Sequence, residues 1–124
     1  MTVASVLARR RAERDALLAT ATAWAATAGP ALGAEMIVVA GSVARGDFNK
    51  WSDIDVLVVA DGLPDDLPGR LAMVDRASRR PPGLQAIAWT PAELARRRRS
   101  GTDPIAREMD ESGVVVYGAL PLDR

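Results

Sequence analysis

The sequence has no cysteine and no histidine. Their absence excludes a nucleophilic cysteine, a Ser-His-Asp triad, a histidine general base and the usual zinc sites, each of which needs one of these side chains. Any metal ion must therefore be held by oxygen ligands, which favours Mg²⁺, Mn²⁺ or Ca²⁺. Without cysteine there is no disulfide framework either, and this composition favours a cytoplasmic protein.

The chain also lacks an excess of charge and a long apolar run. Lys and Arg together number 16, as do Asp and Glu, so nucleic acid is not an expected partner. No apolar stretch reaches the roughly 20 residues of a membrane span, and we expect no membrane contact. The run Arg9-Arg10-Arg11 has some likeness to a twin-arginine signal, but Glu13 and Asp15 favour an ordinary amphipathic helix.

What the chain contains fits one α/β domain over residues 1–124, with an N-terminal helix over 1–30 and a core over 36–118. Apolar periodicity and breaker residues predict helices over 3–28, which Gly29-Pro30 ends, over 69–79, and after Thr90 and Asp103. Short apolar runs predict strands over 36–40, 54–60, 84–89 and 114–117. The first two strands are joined by too few residues for a parallel crossover, so we expect a small mixed sheet with flanking helices.

The most informative pattern is Gly41-Ser42 followed, ten residues later, by Asp53-Ile54-Asp55. Side chains alternate along a strand, so Asp53 and Asp55 point to the same face. Two neighbouring carboxylates repel each other, and a divalent cation between them relieves that repulsion. An Asp-X-Asp pair alone can be a solvated strand end. The glycine and serine after the preceding strand favour a binding site instead.

Gly41 lets the backbone approach a ligand closely because it has no Cβ. Ser42 is predicted to open a short helix, and helix N-termini attract phosphate groups. A phosphate-binding turn that faces a pair of Mg²⁺-binding carboxylates is the minimum apparatus for phosphoryl or nucleotidyl transfer.

These residues resemble a known signature. Gly-Ser-Val-Ala-Arg-Gly from residue 41, then Ser-Asp-Ile-Asp-Val-Leu-Val-Val from residue 52, is similar to the motif of the DNA polymerase β-like nucleotidyltransferase superfamily. The spacing resembles that of its small branch, the minimal nucleotidyltransferases. Thr90-Pro91-Ala92-Glu93-Leu94 and the segment 111–118 resemble later parts of the same family, so the resemblance covers roughly residues 36–118.

The resemblance implies that Gly41 and Ser42 bind the triphosphate of ATP and that Asp53 and Asp55 bind Mg²⁺, with Mn²⁺ as the alternative. It further implies transfer of a nucleoside monophosphate with release of pyrophosphate. Minimal nucleotidyltransferases often serve as the antitoxin of a HEPN-type ribonuclease toxin, and some adenylylate that toxin. A HEPN-type protein is therefore the expected partner, and an oligomer remains open.

The chain departs from the family at the third acidic ligand. Counting back from Thr90-Pro91 puts Gln85 where the family has a carboxylate, and glutamine offers a carbonyl oxygen but no negative charge. Asp75 is the nearest alternative, although a solvated helix residue is the simpler interpretation of it. Glu93 is better explained as part of a capping box with Thr90.

Further residues near the motif carry open interpretations. Arg45 would contact phosphate or pair with Asp47. Ser52 is a candidate nucleotide-binding residue that would act by capping or orienting Asp53, and Trp51 would pack or take part in recognition. Two larger features lie elsewhere in the chain. Trp24 and Trp89 are predicted to be core, and the run Arg96–Arg99 is either a solvated helix end or a docking patch.

Three functions follow from these patterns and from the resemblance. The first is an adenylyltransferase that acts on a protein hydroxyl. The second is a weak or inactive module that keeps the fold and neutralises a partner by binding, which Gln85 favours. The third is a small-molecule nucleotidyltransferase of aminoglycoside type, which normally needs an extra domain or a dimer to enclose its substrate.

Overall fold

The computed structural model describes residues 2–119. In that range the chain forms five helices and four strands, in the order α1 Val3–Leu32, β1 Ala34–Ala40, α2 Gly41–Arg45, β2 Ile54–Ala60, α3 Leu67–Ala77, β3 Leu84–Trp89, α4 Pro91–Ser100, α5 Pro104–Ser112 and β4 Val114–Gly118. Among these helices, none combines the length and the apolar character needed to cross a membrane.

The four strands form one mixed sheet in the order β3-β2-β1-β4. β1 is antiparallel to both β2 and β4, and β2 is parallel to β3. The prediction of a mixed sheet with flanking helices is confirmed. The antiparallel β1–β2 pair follows from its short connection, whereas the parallel β2–β3 pair has α3 as its crossover helix.

Helices cover both faces of the sheet. Alternate residues of β1 show the division, because Ile37 and Val39 pack with α1 and α3 in one cluster, whereas Met36 and Val38 pack with α4 and α5 in another. Trp24 lies in the first cluster and is 4% exposed, while Trp89 lies in the second and is 5% exposed. Both tryptophans are core, as predicted.

The first helix is longer than the sequence predicts. Gly29 and Pro30 lie inside α1, which ends at Gly33 in a left-handed conformation whose N–H donates to the carbonyls of both residues. The helix continues because Leu32 is buried, and a packed apolar turn outweighs the one hydrogen bond that a proline removes. Gly29 packs directly against the ring of Tyr117, where a Cβ would overlap it.

Other boundaries agree closely with the sequence. β2 and β3 have the predicted bounds, and α4 begins with the expected capping box between Thr90 and Glu93. α3 begins at Leu67 and ends at Ala77, two residues before the prediction at each end, because Asp66 caps it by accepting from the Gly69 N–H. Residues 120–124 of the predicted single domain lie outside the described residues.

Candidate functional site

The aspartate pair stands where β2 begins. Asp53 immediately precedes the strand, Asp55 is its second residue, and both are exposed. Asp55 lies in register with Ala40, the last residue of β1, and with Gln85 near the start of β3. β2 lies between β3 and β1 in the sheet. Asp55 therefore stands between these two neighbours at the edge of the sheet where β1 ends.

Gly41 is required at the turn out of β1. Its φ of +71° is left-handed, and a Cβ at this position would overlap the Asp55 carboxylate. Only glycine satisfies both conditions without strain. The first turn of α2 consequently lies directly beside the carboxylate, with Ser42 as its second, half-buried residue.

α2 is held in place from behind by α1. The Arg14 guanidinium donates to the carbonyls of Val43 and Ala44 at 2.9 and 2.8 Å. Arg10 donates to the Gly46 and Phe48 carbonyls and stacks on the Phe48 ring. Cationic side chains suit the carbonyl end of a helix, so the two arginines fix the turn that carries Gly41. The sequence does not predict this role, because it depends on how α1 packs.

The electrostatics of the pair favour a cation. Burial raises the pKa of Asp55 above its usual value of 3.8, the neighbouring Asp53 raises it further, and Arg45 partly offsets both. A carboxylate that is partly desolvated next to another gains when a divalent ion neutralises both. The structure therefore supplies a physical reason for metal binding at the residues that the sequence selects.

A cavity of about 260 Å³ opens beside Asp55, and we call it the cleft. Its lining includes Gly41 and Asp55 from the motif, Gln85 from β3, and Ile105 and Glu108 from α5. The cleft thus joins the Gly41 turn, the Asp55 carboxylate and the predicted third-ligand position Gln85 in one space.

The two candidates for the third ligand occupy different places. Gln85 is next to Asp55 across the β2–β3 ladder and lines the cleft. Asp75 instead forms an ion pair with Arg80, in which the guanidinium Nε lies 2.6 Å from Oδ1. That hydrogen bond is the main reason why the pKa of Asp75 is lowered. Asp75 is not among the residues that line the cleft, so the structure does not bring it to the aspartate pair.

The donor set fits a divalent ion with few protein ligands. Among residues 2–119 no three acidic side chains stand close enough together to form a metal cluster. Asp53 and Asp55 supply two carboxylates, and Gln85 supplies an amide oxygen on the neighbouring strand β3. Mg²⁺ is commonly held by one or two carboxylates together with substrate phosphates and water, so this arrangement suits a metal that arrives with a nucleotide.

Two other motif residues, Arg45 and Ser52, have hydrogen-bond partners in the protein. The Arg45 guanidinium lies 3.2 Å from the Asp47 carboxylate and also donates to Glu108. The pairing with Asp47 that the sequence left open is thus present. The Ser52 hydroxyl accepts from the Asn49 N–H at 2.9 Å, so Ser52 closes the loop before Asp53 through Asn49.

The tryptophan of this loop is on the surface. Trp51 is 80% exposed, and the Lys50 ammonium lies 5.0 Å from its ring centroid. The structure therefore removes the packing interpretation and leaves recognition as the role to test for Trp51.

Two of the four arginines in the run on α4 have partners within the fold, and Arg96 and Arg99 are exposed. Arg97 stacks on the Trp89 ring at 4.4 Å and donates to Asp103, while Arg98 pairs with Asp110. These contacts support a structural helix end more than a free docking patch.

Glu108 is the cleft residue that the sequence does not predict. It is separated from Asp55 by two helices and a strand, and it reaches the cleft because α5 packs back against β1. No local motif marks it. The sequence feature that bears on its position is the pair of apolar residues Ala106 and Met109 on the same helix. Both are buried, and they fix which side of α5 faces the sheet.

Comparison with known proteins agrees with this geometry. The model of the nucleotidyltransferase domain family matches residues 30–100, more than half of the chain, and the matched range includes Gly41, Asp55 and Gln85. A crystal structure at 1.40 Å of a Sulfolobus solfataricus protein, provisionally assigned as a nucleotidyltransferase, is similar with a TM-score of 0.63 and 22% identity. The similarity covers 86% of this chain and 84% of that one, and it shows a shared fold. No curated protein matches at a significant level. On its sequence match, the chain belongs to the nucleotidyltransferase domain family.

Proposed function

We propose that this chain transfers AMP from Mg²⁺-bound ATP to a hydroxyl group of a partner protein. The observation that carries the proposal is the position of Asp55, which lies between the Gly41 turn and the β3 strand at the mouth of the cleft. Family membership supports nucleotidyl transfer in general. The nucleotide, the acceptor and the biological role are the proposal.

Each part of the substrate has residues suited to it. Asp53 and Asp55 would hold Mg²⁺, or Mn²⁺ as the alternative, and Gly41, Ser42 and Arg45 would bind the phosphates. When bound, the ion supplies charge neutralisation at the transferring phosphoryl group. The chain's own contribution is to fix the turn against Asp55 through Arg14, so that little reorganisation is needed when a nucleotide enters.

A protein acceptor fits the shape of the cleft better than a small molecule does. Pockets for small ligands usually enclose about 300–1,000 Å³ and bury most of the ligand. This cleft measures about 260 Å³, and Asp53 and Asp55 are both exposed. An acceptor that brings its own surface would complete the enclosure. The proposed acceptor is a HEPN-type toxin, with this chain as its antitoxin, and the resemblance to minimal nucleotidyltransferases supports that choice.

In this proposal, Gln85 makes the transfer of AMP to the acceptor hydroxyl slow. It stands directly beside Asp55 but brings no negative charge to the cation that Asp53 and Asp55 would hold, so the ion that activates the acceptor hydroxyl would be bound less tightly. We therefore expect nucleotide binding with slow transfer. The same observation favours the second candidate, a module that binds its partner without modifying it.

The test is incorporation of labelled AMP from ATP into a purified HEPN-type ribonuclease, with parent, Gln85→Asp and Gln85→Asn. The Asn variant has the size of Asp without its charge and serves as the matched control. We expect Gln85→Asp alone to raise transfer. Absence of transfer from parent and Gln85→Asp, with ribonuclease inhibition intact, would establish the binding module instead. Adenylylation of an aminoglycoside in a parallel reaction would favour the small-molecule enzyme.

A further inference from the structure

The cleft contains a carboxylate that the family motif does not account for. Glu108 lies on α5 and lines the same cavity as Asp55 and Gln85. α5 is anchored by Ala106 and Met109, which are buried against the sheet. Ile105 precedes Glu108 by three residues, so the two share a side of the helix, and both face the cleft.

Glu108 is held by a residue of the motif itself. The Arg45 guanidinium donates to the Glu108 carboxylate through one nitrogen and to Asp47 through another. The Glu108 side chain is 35% exposed and that of Arg45 is 41% exposed. Exposed ion pairs contribute little to stability, so this contact matters mainly for where it holds the Glu108 carboxylate.

The position of Glu108 complements that of Gln85. Gln85 approaches Asp55 from the sheet, and Glu108 approaches the same cavity from the helix layer that covers it. An acceptor hydroxyl that enters between β3 and α5 would meet an amide on one side and a carboxylate on the other. Of the two, only the carboxylate accepts a proton near neutral pH.

We propose that Glu108 is the catalytic proton acceptor of this enzyme and that Arg45 is its positioning residue. This inference rests on the proposed function. The acceptor hydroxyl gives its proton to the Glu108 carboxylate while its oxygen bonds to the α-phosphorus of ATP. The bond from the α-phosphorus to the bridging oxygen breaks, and pyrophosphate leaves with that electron pair. Glu108 afterwards returns its proton to water.

The experiment compares Glu108→Gln with Glu111→Gln, a matched change at an exposed residue of α5 that does not line the cleft. Two readouts are needed. Calorimetry with Mg²⁺ and ATP measures binding, and labelled AMP incorporation into the HEPN-type ribonuclease measures transfer. General base catalysis contributes about 100-fold or more, so Glu108→Gln should lower the transfer rate by about that factor. Its ATP affinity should stay within about twofold of the parent, since a proton acceptor contributes to the transition state more than to binding. Glu111→Gln should change neither readout.

A rescue variant separates catalysis from structure. Gln85→Glu adds a second carboxylate to the cleft, so in that background Glu108→Gln should lower transfer by less than about tenfold, against about 100-fold in the parent. A purely structural loss at Glu108 would be equally large in both backgrounds. Transfer by Glu108→Gln at the parent rate, or loss of ATP binding by that variant, overturns the assignment while the proposed function stands. No transfer by the parent and by Gln85→Asp overturns both.

Discussion

Asp55 at the start of β2 and acidic residues of the helices and their caps have pKa values shifted in opposite directions. The second group is Glu93, Asp103 and Asp75, and we call it the frame. In the frame, burial alone would raise the pKa of Glu93, but hydrogen bonds from the Thr90 N–H and from Arg70 outweigh it and the pKa is lowered. In the cleft, burial raises the pKa of Asp55 and the nearby Asp53 adds to it. The frame provides each charge with a partner, whereas the cleft brings like charges together.

Two further frame residues follow the same rule. The pKa of Asp103 is lowered chiefly by the Ala106 N–H that it caps, with Arg97 assisting, and that of Asp75 is lowered chiefly by Arg80. These carboxylates stabilise the fold above their unfolded pKa, and that stability is lost as the pH falls through their lowered values. The contrast shows a raised pKa beside a second acid at the candidate site, and lowered pKa values at the acidic residues that stabilise the frame.

The largest effect on stability is expected from Glu93→Ala. Its carboxylate lies 2.8 Å from Arg70, whose side chain is 10% exposed, and it also accepts from the Thr90 N–H. Removing it leaves a buried guanidinium without its anion, so the free energy of unfolding should fall by about 2 kcal/mol. Urea denaturation measures this loss.

A frame residue on the surface provides the control for that result. Asp75→Ala removes an ion pair whose carboxylate is 46% exposed, and it should cost about 0.5 kcal/mol or less. Nucleotide binding should survive both changes. Equal losses of stability would mean that the buried pair is no stronger than the exposed one.

An intermediate effect is expected from Gly41→Ala, because the new Cβ is strained at φ +71° and also overlaps the Asp55 carboxylate. Gly101→Ala is its matched control, with the same φ of +71° and nothing within 4 Å of a Cβ. Each variant should lose about 1 kcal/mol of stability from the backbone alone. Gly41→Ala should lose more, and it alone should weaken Mg²⁺-ATP binding in a calorimetric titration. Unchanged ATP affinity would show that the turn does not contact the nucleotide.

The smallest effect, and the only stabilising one, is expected from Asp55→Asn. Since the folded pKa of Asp55 is raised above 3.8, ionisation opposes folding, and this cost develops as the pH rises through the raised pKa. At neutral pH the variant should be more stable than the parent by about 0.5 kcal/mol or less. The difference should vanish below pH 3.8, where the carboxyl group is protonated in both states. Thermal melts across this pH range check the sign, and a destabilised variant at neutral pH would contradict it.

The parts of the fold that were predictable are those with local causes. β3 is a short apolar run between Gly83 and Thr90, and the capping box at Thr90 is a pattern of four residues, so both have the predicted bounds. The aspartate pair also follows from alternation along a strand, and the resemblance to the nucleotidyltransferase family implied the position of Gln85. Sequence alone therefore located two sides of the cleft.

The remaining parts depend on packing between distant elements. α1 continues past Pro30 because Leu32 is buried and Gly29 meets Tyr117, and no local rule contains that contact. Glu108 arrives in the cleft for the same kind of reason, through the packing of α5 on β1. Residues whose role depends on a tertiary neighbour were the ones that the sequence did not predict.

The central claim is that Asp53 and Asp55, and not the acidic residues of the frame, hold a divalent cation with its nucleotide. Its most direct test is calorimetric titration with ATP in the presence of Mg²⁺, comparing parent, Asp53→Asn/Asp55→Asn and Asp75→Asn. The amide variants keep the shape of each side chain and remove only its charge. We expect the double variant to lose at least about 100-fold in affinity, or about 2.7 kcal/mol, while Asp75→Asn binds like the parent. Binding by the double variant at the parent affinity would contradict this claim and place the metal site elsewhere in the chain.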